Sequence, residues 1–214
     1  MKVLAFDTET TGLPTERNAS IMDLEKWPHI LQLSYVVYDT EEKKIIVCED
    51  DIIKIDLEKV VISLESIAIH GITPEICLEK GISINDALNK FNKELLKADL
   101  IIGHNISFDK RMVMVECNRT KIRQKFTNGG VRKPEYCTMK NSSELCGIEM
   151  TNTVSGEKYF KFPTLAQLYT HLFRMEAPKD LHNALVDVVV CLRCYVKIVY
   201  AEDIIGLLED EFMF

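Results

Sequence analysis

One acid interrupts the most apolar stretch of this chain. Residues 183 to about 200 carry the dense apolar pattern of a helix packed against a sheet, yet Asp187 stands among Val186, Val188, Val189 and Val190. Burying an uncompensated carboxylate is costly, so a fold that sinks this helix must bring compensation to that acid. Asp187 is the residue whose placement most demands a function.

The other elements limit what can surround it. Residues 2–7 form a short apolar run that reads as a buried strand, and strand-like runs follow at 30–38 and 45–55 with a polar turn at 39–43. Together they suit a three-strand antiparallel meander. Residues 14–28 read as a loop excursion. Ser83 is expected to cap a helix to Ala98, with Asp86 completing a box-like pair and Ala87, Leu88, Phe91 and Leu95 forming its apolar stripe. A strand at 100–103, a helix from Phe108 to about Asn118 capped by Ser107, and a strand near 136–139 come next. Residues 147–162 read as a loop or small hairpin, and Thr164 caps a helix over 165–173. Strands first, then alternating helix and strand, imply an α/β fold with a mixed sheet: an antiparallel meander plus parallel strands, flanked by helices. At 214 residues, against about 100–200 per domain, one domain over 1–214 is expected.

Three acidic groups carry chemistry. Asp7 and Glu9 close the first strand at i and i+2, which share a face, so their carboxylates converge. Like charges held close are unfavourable without something positive between them, and hard oxygen ligands suit Mg²⁺ or Mn²⁺. Asp109 follows Gly103-His104-Asn105-Ile106-Ser107-Phe108 at a strand-to-helix junction, where an acid also complements the helix dipole. Asp187 is the third, with His182 five residues before it.

Taken in order, these pieces resemble the DEDDh class of 3′→5′ exonucleases, the DnaQ-like family that includes the bacterial polymerase proofreading subunit and RNase T. The matching stretches are Phe6 to Leu13, Ile69-His70-Gly71-Ile72-Thr73, His104 to Asp109, and His182 with Asp187; position 183 is Asn, where the tyrosine subclass would carry Tyr. The resemblance implies a ribonuclease H-like fold in which Asp7, Glu9, Asp109 and Asp187 hold two divalent ions, Mg or Mn. Two such ions clamp a scissile phosphate, activating the attacking water and stabilising the leaving oxygen. His182 is then the general base, a role that suits an imidazole. The implied activity is removal of nucleoside 5′-monophosphates from 3′ ends of mainly single-stranded DNA or RNA. Thr10, Leu13, Glu65, His70 and Phe108 are the implied substrate contacts, with Phe108 equally readable as core. One departure from many relatives is Cys137 before Thr138, where they carry Asp. The rival reading is a non-catalytic nucleic-acid-binding or polymerase-associated module that keeps the fold.

Charge bears on partners. The net charge of −7 excludes a protein that coats nucleic acid electrostatically. Residues 110–140 nevertheless hold nine bases and two acids, and starting directly after Asp109 this segment is expected beside the metal site, tracking a phosphate backbone. Seven scattered cysteines read as reduced thiols, Cys191 and Cys194 as core packing rather than a zinc or redox pair. No apolar run has the length of a leader or a membrane span, so an intracellular location is expected. The acidic, partly apolar tail 201–214 reads as a closing amphipathic helix, or as a docking segment for a polymerase or sliding clamp.

Overall fold

Alternation along the first strand sets the architecture. In Lys2–Thr10 (β1), Val3 and Ala5 point to one face of a sheet while Leu4 and Phe6 point to the other, and all four are buried. The structure, a computed structural model, describes residues 1–212. After β1 come β2 (Ile30–Asp39), β3 (Lys44–Ile52), α1 (Leu64–His70), α2 (Pro74–Lys80), α3 (Ile84–Lys97), β4 (Leu100–Gly103) and α4 (Ile106–Thr120). Short pieces follow: β5 (Thr127–Asn128), β6 (Val131–Arg132), β7 (Glu135–Cys137), α5 (Thr138–Asn141), α6 (Ser143–Cys146), β8 (Glu149–Thr151) and β9 (Lys158–Phe160). Three helices close the chain: α7 (Leu165–Phe173), α8 (Ala184–Tyr200) and α9 (Ile205–Phe212).

The main sheet has the order β3-β2-β1-β4-β7, with β1 antiparallel to β2 and parallel to β4. The antiparallel meander is present, and β4 and β7 extend it as parallel strands. Helices α3 and α4 cover one face, where Phe91 meets Phe6 at 5.1 Å and Tyr35 at 5.4 Å between ring centroids. Helix α8 covers the other face, with Val188, Leu192 and Tyr195 against Val3, Ala5 and Val36. β2 lies between both layers and is buried along nearly its whole length, whereas edge strand β3 alternates exposed and half-buried residues. Such a mixed sheet covered by helices is the ribonuclease H-like fold.

Several local expectations are corrected. Ser107 does not cap α4: the helix begins at Ile106, and its cap residue Asn105 adopts the left-handed conformation, which Asn tolerates better than most residues. Ser83 accepts from the Asn85 N–H, but Asp86 does not complete a box; the full capping box forms instead at Thr164 and Gln167. The third strand ends at Ile52, and the strand expected to Met139 yields to α5 at Thr138. Helices α1 and α2 arise in a stretch without an assigned element. Cys191 and Cys194 are buried in a core cluster with Leu168 and Tyr169. Among the described residues no helix is long and apolar enough to cross a membrane. In the tail, Ile204 and Leu208 are buried against the core beside α8, so α9 closes the fold; Met213 and Phe214 lie outside the described residues.

Candidate metal centre

The alternation that buries Val3 and Ala5 under α8 continues to Asp7 and Glu9, placing both carboxylates on the face where α8 begins. Asp187, in the first turn of α8, meets them there: one ligand oxygen from each of the three lies within 4.8 Å of the others. Thr8 points the opposite way, toward α4. β4 pairs with β1 only as far as Ala5, so the Thr8 N–H is left without a strand partner on that side. Asp109 takes its place, its Oδ1 accepting from the Thr8 amide at 3.1 Å and the Thr8 hydroxyl at 2.8 Å.

The electrostatics are those of acids without a counter-charge. Burial first, then Asp109, Asp187 and Glu9, hold the Asp7 carboxyl well above the usual carboxylate range. Burial together with Asp187 and Asp109 pushes Glu9 up to about 8. Asp109 is pushed up to about 7 by burial despite the opposing Thr8 hydrogen bonds, and Asp187 to about 6 by burial despite the His182 N–H. No Lys or Arg among the described residues forms an ion pair with any of the four. Hard carboxylate oxygens, mutually repelling and converging on one point, fit a divalent cation such as Mg²⁺ or Mn²⁺.

His182 lies on the loop entering α8, is exposed, and donates its backbone N–H to Asp187 Oδ1 at 3.3 Å. Its φ of 75° is left-handed, a conformation that costs a non-glycine residue energy. Asn183 caps α8 by accepting from Leu185 N–H, and Gln32 Oε1 accepts from Ala184 N–H at 3.2 Å. Gln32, the cross-strand neighbour of Glu9, also donates to Asp50 at 2.7 Å. Thr8 and Gln32 act through tertiary pairing, which sequence spacing does not show.

The expected substrate contacts divide. Leu13 is 81% exposed after the end of β1, and Glu65, exposed in the first turn of α1, makes no hydrogen bond or ion pair among the described residues. Thr10 donates its hydroxyl to the Gly12 carbonyl at 2.7 Å, which shapes the turn carrying Leu13. His70 donates from Nε2 to the Thr10 carbonyl at 3.2 Å and accepts at Nδ1 from the Ile72 N–H at 3.0 Å. With both ring nitrogens engaged and burial pulling its pKa down, His70 pins α1 to the end of β1 and leaves only its ring surface for a ligand. Gly71 makes this return possible through its φ of 72°. Phe108 is half-buried and packs against the main core cluster.

Four bases of the segment 110–140 are engaged by the protein itself. Arg119 donates to Glu116 and to the carbonyls of Leu24, Trp27 and Pro28, stapling the 14–28 loop to α4. Lys110 pairs with Glu135, Arg111 lies over Trp27, and Lys133 donates to the Leu96 and Ala98 carbonyls. Lys121, Arg123 and Lys125 follow the C-terminus of α4, at the opposite end of the helix from Asp109.

A family model described as an exonuclease matches residues 4–195 of the chain. No curated protein matches it. Among solved structures, Escherichia coli Exonuclease I in complex with a dT13 oligonucleotide is similar at a TM-score of 0.67 and 18% identity, over 99% of this chain and 43% of that one. The complex of the same enzyme with a dA16 oligonucleotide aligns at 0.64 and 17%, with the same coverage. A moderately thermophilic Exonuclease I from Methylocaldum szegediense aligns at 0.60 and 17%, over 99% of this chain and 43% of that one. The chain thus spans less than half the length of these structures.

Proposed function

From its membership of the DEDD-type 3′→5′ exonuclease family, we propose that this chain, as one exonuclease domain over residues 1–214, releases nucleoside 5′-monophosphates from 3′ ends of single-stranded nucleic acid. The observation that supports this most directly is the convergence of Asp7, Glu9 and Asp187 beside buried Asp109. Single-stranded DNA is the first substrate to try, since structural relatives hold dT13 and dA16 oligonucleotides; RNA is the second.

Asp7, Glu9, Asp109 and Asp187 would hold two divalent ions, Mg or Mn. When bound, such ions supply charge neutralisation at the scissile phosphate and a lowered pKa for the attacking water. The chain's own groups do the rest. Thr8 fixes the orientation of Asp109, and Gln32 with Asn183 holds the start of α8, so that Asp187 is positioned before any ligand arrives. His182, exposed beside Asp187, takes the proton from the water as general base, which makes this chain a member of the histidine subclass. Leu13, Glu65 and the ring of His70 line the approach for the terminal nucleotide, with Thr10 shaping the turn and Phe108 offering its exposed edge.

The test is direct. With 5′-labelled single-stranded DNA and RNA in Mg²⁺ or Mn²⁺, a ladder shortening from the 3′ end is expected, and Asp187→Ala abolishes it in a folded protein. Absence of metal-dependent shortening of either polymer would overturn the proposal.

A further inference from the structure

Two of the bases that follow α4, Arg123 and Lys125, meet two lysines of α3. Between the C-terminal half of α3 and the turn after α4 lies an open groove of about 560 Å³, lined by Lys93, Lys97, Arg123 and Lys125 and by no acid. Lys97 pairs with Glu94 at 2.8 Å, but Lys93, Arg123 and Lys125 form no ion pair or hydrogen bond among the described residues. Lys125 also borders an adjoining depression lined by Arg132 and Lys133, which extends the positive surface toward the β5–β6 hairpin.

The two amides along the α3 wall differ in reach. Asn92, also lining the groove, is 5% exposed, and neither its amide nitrogen nor its oxygen has a hydrogen-bond partner of adequate geometry. The Cys117 thiol beside it is a weak partner. Both of its polar atoms are closed to solvent on the side of core Cys117, so Asn92 offers the groove no donor. Exposed Asn89 on the same wall does reach the groove with its amide donors. Four cations and one exposed amide, with no acid or aromatic ring in the lining, match a phosphodiester backbone rather than a base or an apolar chain.

We propose that this groove is a phosphate-backbone exosite, holding a part of the nucleic-acid strand remote from the 3′ end under degradation. It rests on the polynucleotide reading of the carboxylate centre. Eleven residues of α4 separate Asp109 from Thr120, about 17 Å at the helical rise of 1.5 Å per residue, so the exosite stands well away from the reacting phosphate. A strand rises about 3.4 Å per stacked nucleotide, so a 20-nucleotide strand spans the distance and a 3-nucleotide strand does not.

The test compares the wild type with the triple variant Lys93→Gln, Arg123→Gln, Lys125→Gln, whose three exposed or half-buried sites should leave circular dichroism and melting unchanged. In EDTA, fluorescence anisotropy of a 5′-fluorescein 20-mer is followed against salt. Each single-strand phosphate contact contributes about 0.7 to the log–log slope, so losing three lowers the slope by about 2. With Mn²⁺, the KM for the 20-mer rises about tenfold while the KM and kcat for a 3-mer stay at wild-type values. An unchanged slope overturns the exosite, as does an equal rise in KM for both lengths. Tighter binding of a labelled oligoglutamate than of the 20-mer, lost in the variant, would overturn it in favour of an acidic protein partner. The two proposals fail separately: a slope change without metal-dependent shortening removes only the nuclease, and shortening without a slope change removes only the exosite.

Discussion

Thr8 and Asp109 are joined twice, the Thr8 amide and hydroxyl both donating to the same Asp109 oxygen at 3.1 and 2.8 Å. Through that pair the first turn of α4 completes a strand ladder that β4 leaves short. A hydrogen bond to a charged group is worth about 1.5–3 kcal/mol, so Thr8→Val, which keeps shape but loses the hydroxyl, should lower stability at pH 8 by about that much. Thr8→Ser keeps the donor and should lose less. Urea midpoints decide the matter; equal losses for Val and Ser would show that the hydroxyl does not hold Asp109.

The clustered acids make the opposite prediction for Asp7. Its carboxyl is held well above the ordinary range by burial and by Asp109, Asp187 and Glu9, so folding at pH 8 must either protonate it or hold its charge against its neighbours, a cost that Asp7→Asn removes. In EDTA at pH 8 the variant should melt higher, each 1 kcal/mol being worth about 2–4 °C in a chain of this size. Mn²⁺ should raise the melting temperature of the wild type, by about 2.7 kcal/mol of stabilisation at a hundred times its Kd, and should move the variant much less. A lower melting temperature for the variant in EDTA would mean that the acids are compensated in some other way.

Much of this centre is legible in the sequence because it rests on short periods. Asp7 and Glu9 share a face by strand alternation, and Asp187 stands out because an acid among valines violates the pattern of a buried helix. What is not legible depends on chain segments far apart. Gln32 reaches α8 across 152 positions, and Thr8 reaches Asp109 across 101. The basic segment divides for a related reason: Lys110 and Arg111 stay in the turn beside Asp109, while a 15-residue helix puts Lys121 and the bases just after it at its other end. The short helices α1 and α2 did leave a signal, in the caps Ser63 and Thr73 and in Pro74 at the start of α2.

His104 gives a pH prediction away from the metal centre. Its Nε2 donates to the Pro163 carbonyl at 3.0 Å, so Nδ1 is the acceptor for the Thr138 hydroxyl, also at 3.0 Å, and burial pulls its pKa down to about 4. The unfolded chain titrates this residue near 6.5 or so, hence between the two values the unfolded state binds the extra proton. The stability it contributes is complete above about pH 6.5 and is lost as pH falls toward 4, by about 3 kcal/mol in total. His104→Gln does not titrate, so the wild-type advantage in urea midpoint should shrink from pH 8 to pH 4.5. A difference that stays constant with pH would refute the neutral, hydrogen-bonded His104.

His182 places activity and stability in opposition. The residue is exposed, its φ is 75°, and its backbone N–H is tied to Asp187 at 3.3 Å, so its side chain is held beside the acids at the expense of left-handed strain. For a side chain bearing Cβ that conformation costs about 1–2 kcal/mol, which glycine avoids. His182→Gly should therefore be more stable than His182→Ala, although the unfolded-state entropy of glycine offsets part of the gain. Both variants lose the imidazole, and general-base catalysis is worth about 10²–10⁴-fold, so both should cleave slower by that factor while retaining the wild-type melting response to Mn²⁺. Retained metal response with lost turnover separates a proton acceptor from a ligand holder. If the metal response disappears together with activity, His182 acts through Asp187 rather than on the water.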